Sequence, residues 1–250
     1  MIINIIGGGE REESCAELLR SARLPEFVGR VTVLPIPSTR DKITVNGTGV
    51  LLEELAAESE CGTLFCAYSP PPSFFERVEA RGGFVADVAE DEEFLSENAR
   101  LTAECTLSYI MSHSALAVSD LEIAVVGYGR IGRVLLELLL FHGARVTVCT
   151  RSPATHAMLV SNGVSALLDA EAQFCGFDLI VNTAPAQLFS RAQLKTLGCE
   201  VIELAPGENF PQVEKVTRLP SLPAKMLPKS SGMVYGRAVL RALNNMEKSK

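Results

Sequence analysis

Leu121-Glu-Ile-Ala-Val-Val-Gly127-Tyr-Gly129-Arg-Ile-Gly132-Arg-Val-Leu-Leu136 decides the fold of this chain, because it reads as a β-strand that runs through a glycine-rich turn into a helix. That order opens a dinucleotide-binding βαβ unit. Gly127 permits the tight turn, Gly129 leaves room for an approaching diphosphate, and Gly132 lets the helix lie close on the strand. The first turn of the helix, with Tyr128, Arg130 and Ile131 around the bend, would then direct free N–H groups at phosphate oxygens. Leu135, Leu136, Leu138, Leu139 and Leu140 continue at helical density, Gly143 stops the helix, and Arg145-Val-Thr-Val-Cys149 reads as the second strand. The competing reading is a degenerate unit that binds nothing.

The tip of that second strand bears on the choice of cofactor. An NAD-specific unit places a carboxylate there to hold the adenine ribose hydroxyls. This chain has Cys149-Thr150-Arg151-Ser152 instead. With no acid there to repel a ribose 2′-phosphate, Arg151 can pair with it through its planar fork, and Thr150 and Ser152 can donate hydroxyls, which favours NADP over NAD. Alternatively, Arg151 is a solvated loop residue and Ser152 caps a helix opening at Pro153; capping and phosphate binding are compatible.

Composition sets bounds on the rest. At 250 residues with 47% apolar content, the chain can bury a substantial core in one or two domains. No apolar run approaches a membrane span, and Met1-Ile-Ile-Asn-Ile-Ile6 lacks the basic start of a signal peptide, so a cytoplasmic protein is expected. Seven scattered cysteines read as reduced core residues rather than disulfides or metal ligands. A net charge of −7 without a basic run argues against nucleic acid as a partner.

The N-terminal part carries its own α/β pattern. Strands are expected at Met1–Ile6, Arg30–Leu34, Thr63–Tyr68 and Phe84–Ala86, with helices over 10–24 and 73–81. A helical stretch over 92–112 reads as a connector. Beyond the fingerprint, strands are expected at 179–182, 200–204 and 215–219, helices at 153–161, 169–175 and 190–197, and a closing helix over 230–246. The expected fold class is α/β: two open parallel-sheet domains, the second a Rossmann dinucleotide-binding domain, with a closing C-terminal helix. The expected boundaries are 1–118 for a flavodoxin-like α/β substrate domain with the connector, 119–227 for the Rossmann domain, and 228–250 for a helix packing back toward the N-terminal domain.

Several stretches, taken with the fingerprint, resemble the dipicolinate synthase family, in its A-type subunit, over most of the chain. They are Leu34-Pro-Ile-Pro-Ser-Thr-Arg-Asp41, Asn98-Ala-Arg-Leu-Thr102-Ala103-Glu104, Asn182-Thr183-Ala184-Pro185 and Leu222-Pro-Ala-Lys-Met-Leu-Pro228-Lys229-Ser230-Ser231-Gly232. The resemblance implies oxidation of 4-hydroxy-tetrahydrodipicolinate, or its dehydrated form, to dipicolinate with NADP as hydride acceptor. It also implies a partner during sporulation, the synthase's flavoprotein-like B-type subunit. The chain departs from the family pattern in three places. Gly8-Gly9-Glu10-Arg11 stands for Gly-Gly-Asp-x-Arg, Glu203-Leu-Ala-Pro206-Gly207-Glu208 for Asp-Leu-Ala-Ser and a Pro-Gly-Gly turn, and Ala224 for the glycine of Leu-Pro-Gly.

A dicarboxylate substrate needs cationic or hydroxyl donors, and aromatisation needs a base that removes a ring proton as hydride leaves. Ser38, Thr39 and Arg40 are candidates for one carboxylate, and Lys229 and Ser230 for the other. Glu104 is the candidate base, with Thr102 orienting substrate; these roles rest mainly on the resemblance. Glu104 reads equally as a solvated helix carboxylate, Lys229 as a surface lysine, and 38–41 as a turn capped by Asp41. Asn182 and Thr183 follow a strand's carboxyl end, where they either meet the nicotinamide half or close a turn before Pro185. His113, His142 and His156 all fall outside the second half of the Rossmann domain, where a 2-hydroxyacid dehydrogenase would carry its acid/base histidine. A dehydrogenase of another small cyclic acid, or a nucleotide-binding regulatory subunit without turnover, stays open, and a homodimer is the general expectation for such enzymes.

Overall fold

The computed structural model describes residues 2–26, 28–168, 174–185, 189–205 and 213–248. In chain order its first elements are β1 (Ile2–Ile5), α1 (Glu10–Ser21), β2 (Arg30–Val33), α2 (Leu52–Ala57), β3 (Thr63–Ala67), α3 (Pro72–Glu79), β4 (Phe84–Asp87) and the long α4 (Glu92–His113). There follow β5 (Glu122–Val126), α5 (Arg130–Phe141), β6 (Arg145–Thr150), α6 (Pro153–Ser161), β7 (Ser165–Leu168), β8 (Leu179–Asn182), α7 (Arg191–Thr196), β9 (Glu200–Glu203), β10 (Val216–Arg218), α8 (Leu222–Met226) and α9 (Pro228–Lys248). Every strand pairing is parallel. The inner strands β3 and β8 are accordingly buried along their whole length, as strands covered on both faces must be.

The chain divides into two compact units, residues 1–98 with 223–250 and residues 99–222. The division falls inside α4 and after the first residue of α8, not at the expected 118/119 and 227/228. The reason lies in the apolar face of α4. Ala103, Leu107 and Ile110 pack with β5, α5 and β6 side chains in the second unit's core, while the first turns of α4 are held by ion pairs in the first unit.

In the first unit the sheet order is β1-β2-β3-β4, so β2 rather than β1 is the inner neighbour of β3. This corrects the flavodoxin-like expectation, which would place β1 between its two successors. Phe65 and Ala67 of β3 face the cluster formed with Leu55 of α2 and Phe74 and Val78 of α3. Helix α9 packs on α1 so closely that a Cβ at Gly232 would sit 2.4 Å from the Arg11 carbonyl oxygen, and one at Gly236 3.0 Å from a Leu18 methyl. The fully buried Tyr235 donates its hydroxyl to the carbonyls of Leu34 and Cys66 at 3.0 and 2.8 Å, tying α9 to the ends of β2 and β3.

Salt bridges complete that attachment. Arg241 of α9 pairs with Asp91 at 2.8 Å and Glu93 at 2.9 Å, and Arg237 with Glu97 at 2.8 Å. Partial burial pushes the Asp91 carboxyl up, but the Arg241 guanidinium and the Phe94 amide outweigh it and hold the group below its ordinary range. A depressed folded-state pKa contributes stability above the unfolded value of about 3.9 and loses it as pH falls through the folded value. Exchange of α9 amides, corrected for intrinsic rates, is therefore expected to accelerate below about pH 4. Asp91→Asn should show the faster rate already at pH 7; equal rates in both proteins at pH 7 would remove Asp91 from the attachment.

The second unit has the order β10-β9-β8-β5-β6-β7, with β5 at the centre. Numbered within the unit, that is 3-2-1-4-5-6, the doubly wound dinucleotide-binding arrangement, and its order reverses between β5 and β8. The expected helix over 169–175 lies largely outside the described residues; Phe174 and Cys175 belong to no regular element. No helix among the described residues is long and apolar enough to cross a membrane.

Candidate active site

The strand ends on either side of the reversal are laced together. Gly127 N–H donates to the Cys149 carbonyl of β6 at 2.9 Å, and Thr183 N–H to the Val126 carbonyl of β5 at 2.9 Å. The three fingerprint glycines have three different physical reasons. Gly127 has φ +93°, and a Cβ there would lie 2.8 Å from Thr183 Oγ1. A Cβ at Gly132 would lie 2.2 Å from the Gly127 carbonyl oxygen, so only glycine allows this approach of α5 to the turn. At Gly129, by contrast, φ is −84° and a Cβ would meet nothing within 4 Å among the described residues.

Gly129 is also the N-cap of α5, and no side chain caps it. The first turn of that helix contains no acid. The positive end of the α5 dipole therefore lies at the carboxyl edge of the sheet, just after β5. Arg133 sits over the Tyr128 ring at 5.2 Å and donates to the Tyr128 carbonyl, which anchors the bend from its far side. An adenine dinucleotide's diphosphate fits such a place.

At the tip of β6, Thr150 is buried and its Oγ1 accepts from Ser152 N–H at 3.2 Å. Ser152 Oγ in turn caps α6 by accepting from Thr155 N–H at 3.2 Å. The capping alternative is thus realised for Ser152. Arg151 stands between them, exposed, and its side chain has no partner among the described residues.

Asn182 and Thr183 close the turn after β8. Asn182 is fully buried; its Nδ2 donates to the Ala184 carbonyl at 2.9 Å and to Glu203 Oε1 at 3.0 Å, while its Oδ1 accepts from Ala184 N–H at 3.2 Å. Thr183 donates its hydroxyl to the Val126 carbonyl at 2.9 Å. The Asn182 side chain thus closes the turn, the alternative that the sequence also offered.

The remaining candidates fall on both units. In the first, Ser38 is fully buried, donating to the Pro35 carbonyl at 3.0 Å and accepting from Tyr68 N–H at 2.8 Å. It fastens the loop after β2 to that after β3. Thr39 accepts from Lys42 N–H and donates to Asp41. Asp41 caps the turn, and backbone N–H bonds from Thr44 and Ile43 hold its carboxyl well below the usual range. Arg40 is exposed, with no side-chain partner among the described residues. Lys229 and Ser230 are exposed in the first turn of α9. In the second unit, Thr102 is buried on α4, and the half-exposed Glu104 pairs with Arg100 at 2.5 Å.

No protein-family model matches the chain. A curated relative, the dipicolinate synthase A-type subunit of Bacillus subtilis, is 24% identical over 169 residues, covering 63% of this chain and 57% of the relative. The crystal structure of the dipicolinate synthase A chain from Bacillus subtilis superposes with a TM-score of 0.80 at 17% identity, covering 100% of this chain and 98% of that one. The chain resembles this component of dipicolinate synthase. The apo-structure of D-lactate dehydrogenase from Escherichia coli shares the fold at a TM-score of 0.61 and 13% identity, over 100% of this chain and 98% of that one. The sequence match thus spans a little over half the length of the dipicolinate synthase relative, whereas the structural match spans nearly all of it.

The departures from the dipicolinate synthase pattern separate on inspection. Ala224 lies within α8, where alanine is a better helix former than glycine. Glu10 is exposed, and the buried partner of Arg11 is Glu12, at 2.6 Å. Arg11 also donates to the Ile36 carbonyl at 2.9 Å, and Glu12 Oε2 accepts from Gly9 N–H at 2.9 Å, so the glycine turn after β1 is closed by its own side chains. Pro206, Gly207 and Glu208 lie outside the described residues. Glu203, named above only as a departure, is buried and accepts from Asn182, and Glu12 is a buried acid that sequence reasoning did not single out.

Proposed function

We propose that this chain is an NADP-dependent oxidoreductase that converts 4-hydroxy-tetrahydrodipicolinate, or its dehydrated form, to dipicolinate. The observation that carries the cofactor assignment is Gly129: among the described residues a Cβ there would meet nothing within 4 Å, and this residue is the N-cap of α5. Arg151, exposed and unpartnered at the tip of β6, supports a ribose 2′-phosphate over a bare ribose. The likeness to the A-type component of dipicolinate synthase supports the substrate class. Arg40 and Lys229 are the exposed cations offered for its carboxylates.

The dehydrated substrate loses one hydride and one proton on becoming aromatic. Bound NADP would accept the hydride. The proton falls to Glu104 in this reading, and Arg100 must first share or release that carboxylate. Glu104→Gln is expected to lower kcat at least about a hundredfold with the NADP dissociation constant unchanged. Unaltered turnover would remove Glu104 from the chemistry. The whole reading is tested by mixing purified protein with enzymatically generated 4-hydroxy-tetrahydrodipicolinate and NADP+ and following reduced-nicotinamide absorbance and dipicolinate. Uptake of nucleotide without turnover, even with the flavoprotein-like component present, would favour a second reading, a nucleotide-binding protein that serves a partner enzyme. The engagement of Glu104 by Arg100 is the observation on its side. In the first reading the protein works in the cytoplasm as a homodimer, and its partner during sporulation is the flavoprotein-like B-type subunit.

A further inference from the structure

Glu203 is an acid almost completely buried at the carboxyl end of β9, two strands from the glycine turn. Its Oε1 accepts two hydrogen bonds, from Asn182 Nδ2 at 3.0 Å and from Ala205 N–H at 3.0 Å. Burying a carboxylate is unfavourable unless it is well bonded, so such a group has to be explained by what it holds. What it holds is the orientation of the Asn182 amide. With Nδ2 drawn to Glu203, Oδ1 is turned to the Ala184 N–H, and both edges of the amide clamp the 182–184 turn.

That turn underlies the nucleotide site. Thr183 donates to the Val126 carbonyl, and its Oγ1 stands 2.8 Å from the position a Cβ would take on Gly127 and 3.2 Å from that on Gly132. Thr183 thus fills the space that two fingerprint glycines vacate. We propose that Glu203 is a positioning residue for the dinucleotide: through Asn182 it sets the turn on which Thr183 supports the bend between β5 and α5. This rests on the reading of that bend as a dinucleotide site. Glu203 acts at one remove, without touching the cofactor.

The test compares variants by calorimetry with NADP+ and NAD+. Glu203→Ala removes both acceptor bonds and is expected to weaken the two nucleotides equally, by about tenfold. Glu203→Gln keeps an oxygen able to accept from Asn182 and is expected to stay within about twofold of wild type. If the alanine variant does not fold, Glu203→Met, which keeps the volume but has no oxygen to accept, takes its place with the same expected loss. Hydrogen exchange on ligand-free protein should show faster exchange at Thr183 and Ala184 in the alanine or methionine variant and wild-type rates in Glu203→Gln. Combined with Thr183→Val, the Glu203→Ala loss should fall short of the product of the two single losses, because both act through one turn. Wild-type affinity in Glu203→Ala, or losses that multiply with those of Thr183→Val, overturns the inference. Wild-type protein that takes up neither nucleotide overturns the reading of the site, and this inference with it.

Discussion

Alanine at Gly129 is expected to abolish dinucleotide binding while leaving the fold intact, and alanine at Gly132 to do the reverse first. The backbone at Gly129 has φ −84°, and the added methyl enters open space, so the protein itself does not resist it. Lost N-cap preference and gained chain stiffness oppose each other at about 0.5–1 kcal/mol each, leaving Tm nearly unchanged. The methyl would nevertheless occupy the approach to the helix N-terminus, and affinity should fall about a hundredfold or more. At Gly132 the methyl would meet the Gly127 carbonyl oxygen at 2.2 Å, and that oxygen belongs to backbone that cannot swing aside. A cost of about 3 kcal/mol is expected, which for a chain of this size lowers Tm by roughly 6–12 °C. Thermal unfolding paired with calorimetry reads both. Undiminished affinity in Gly129→Ala would mean that no diphosphate lies at this bend.

The second large effect belongs to Arg151. Removing a guanidinium that pairs with a phosphate dianion typically costs about 2–3 kcal/mol, so Arg151→Ala should weaken NADPH roughly 30- to 150-fold. NADH, which has no 2′-phosphate, should bind within about twofold of wild type. The contrast separates this residue from Glu203, whose loss is expected to affect both nucleotides alike. Equal weakening of NADH and NADPH by Arg151→Ala would contradict the phosphate assignment. Because Arg151 has no internal partner among the described residues, its removal is expected to leave Tm within about 1 °C.

Much of the second unit could be read directly because its strands are unbroken apolar runs flanked by local turn chemistry, as at Ile123–Val126 before Gly127. Edge strand β7 escaped notice because Ser165-Ala-Leu-Leu168 is short and only partly buried. Helix α2 spans six residues, too few for a helical period to stand out. The geometry of the candidate site was legible where it is local, as in the positive φ of Gly127 and the Ser152 cap of α6. It was not legible where a side chain is used by a distant partner. The Ser38 hydroxyl is claimed by Tyr68, thirty residues on, and Asn182 by Glu203, twenty-one residues on. Neither pairing leaves a trace in spacing, since it exists only after the parallel strands have brought their ends together.

The placement of α9 has a consequence for biosynthesis. Residues 99–222 are contiguous, so the second unit has all its parts once Leu222 has left the ribosome. The earlier-made unit does not. The socket for Tyr235 at the Leu34 and Cys66 carbonyls, and the α1 surface that receives Gly232 and Gly236, are translated long before the helix that fills them. Between those moments the Leu34 and Cys66 carbonyls lack the Tyr235 hydroxyl, although Cys66 already accepts from Leu34 N–H at 3.0 Å. A stop codon shortly before residue 228 would leave α1 without the helix that packs on it.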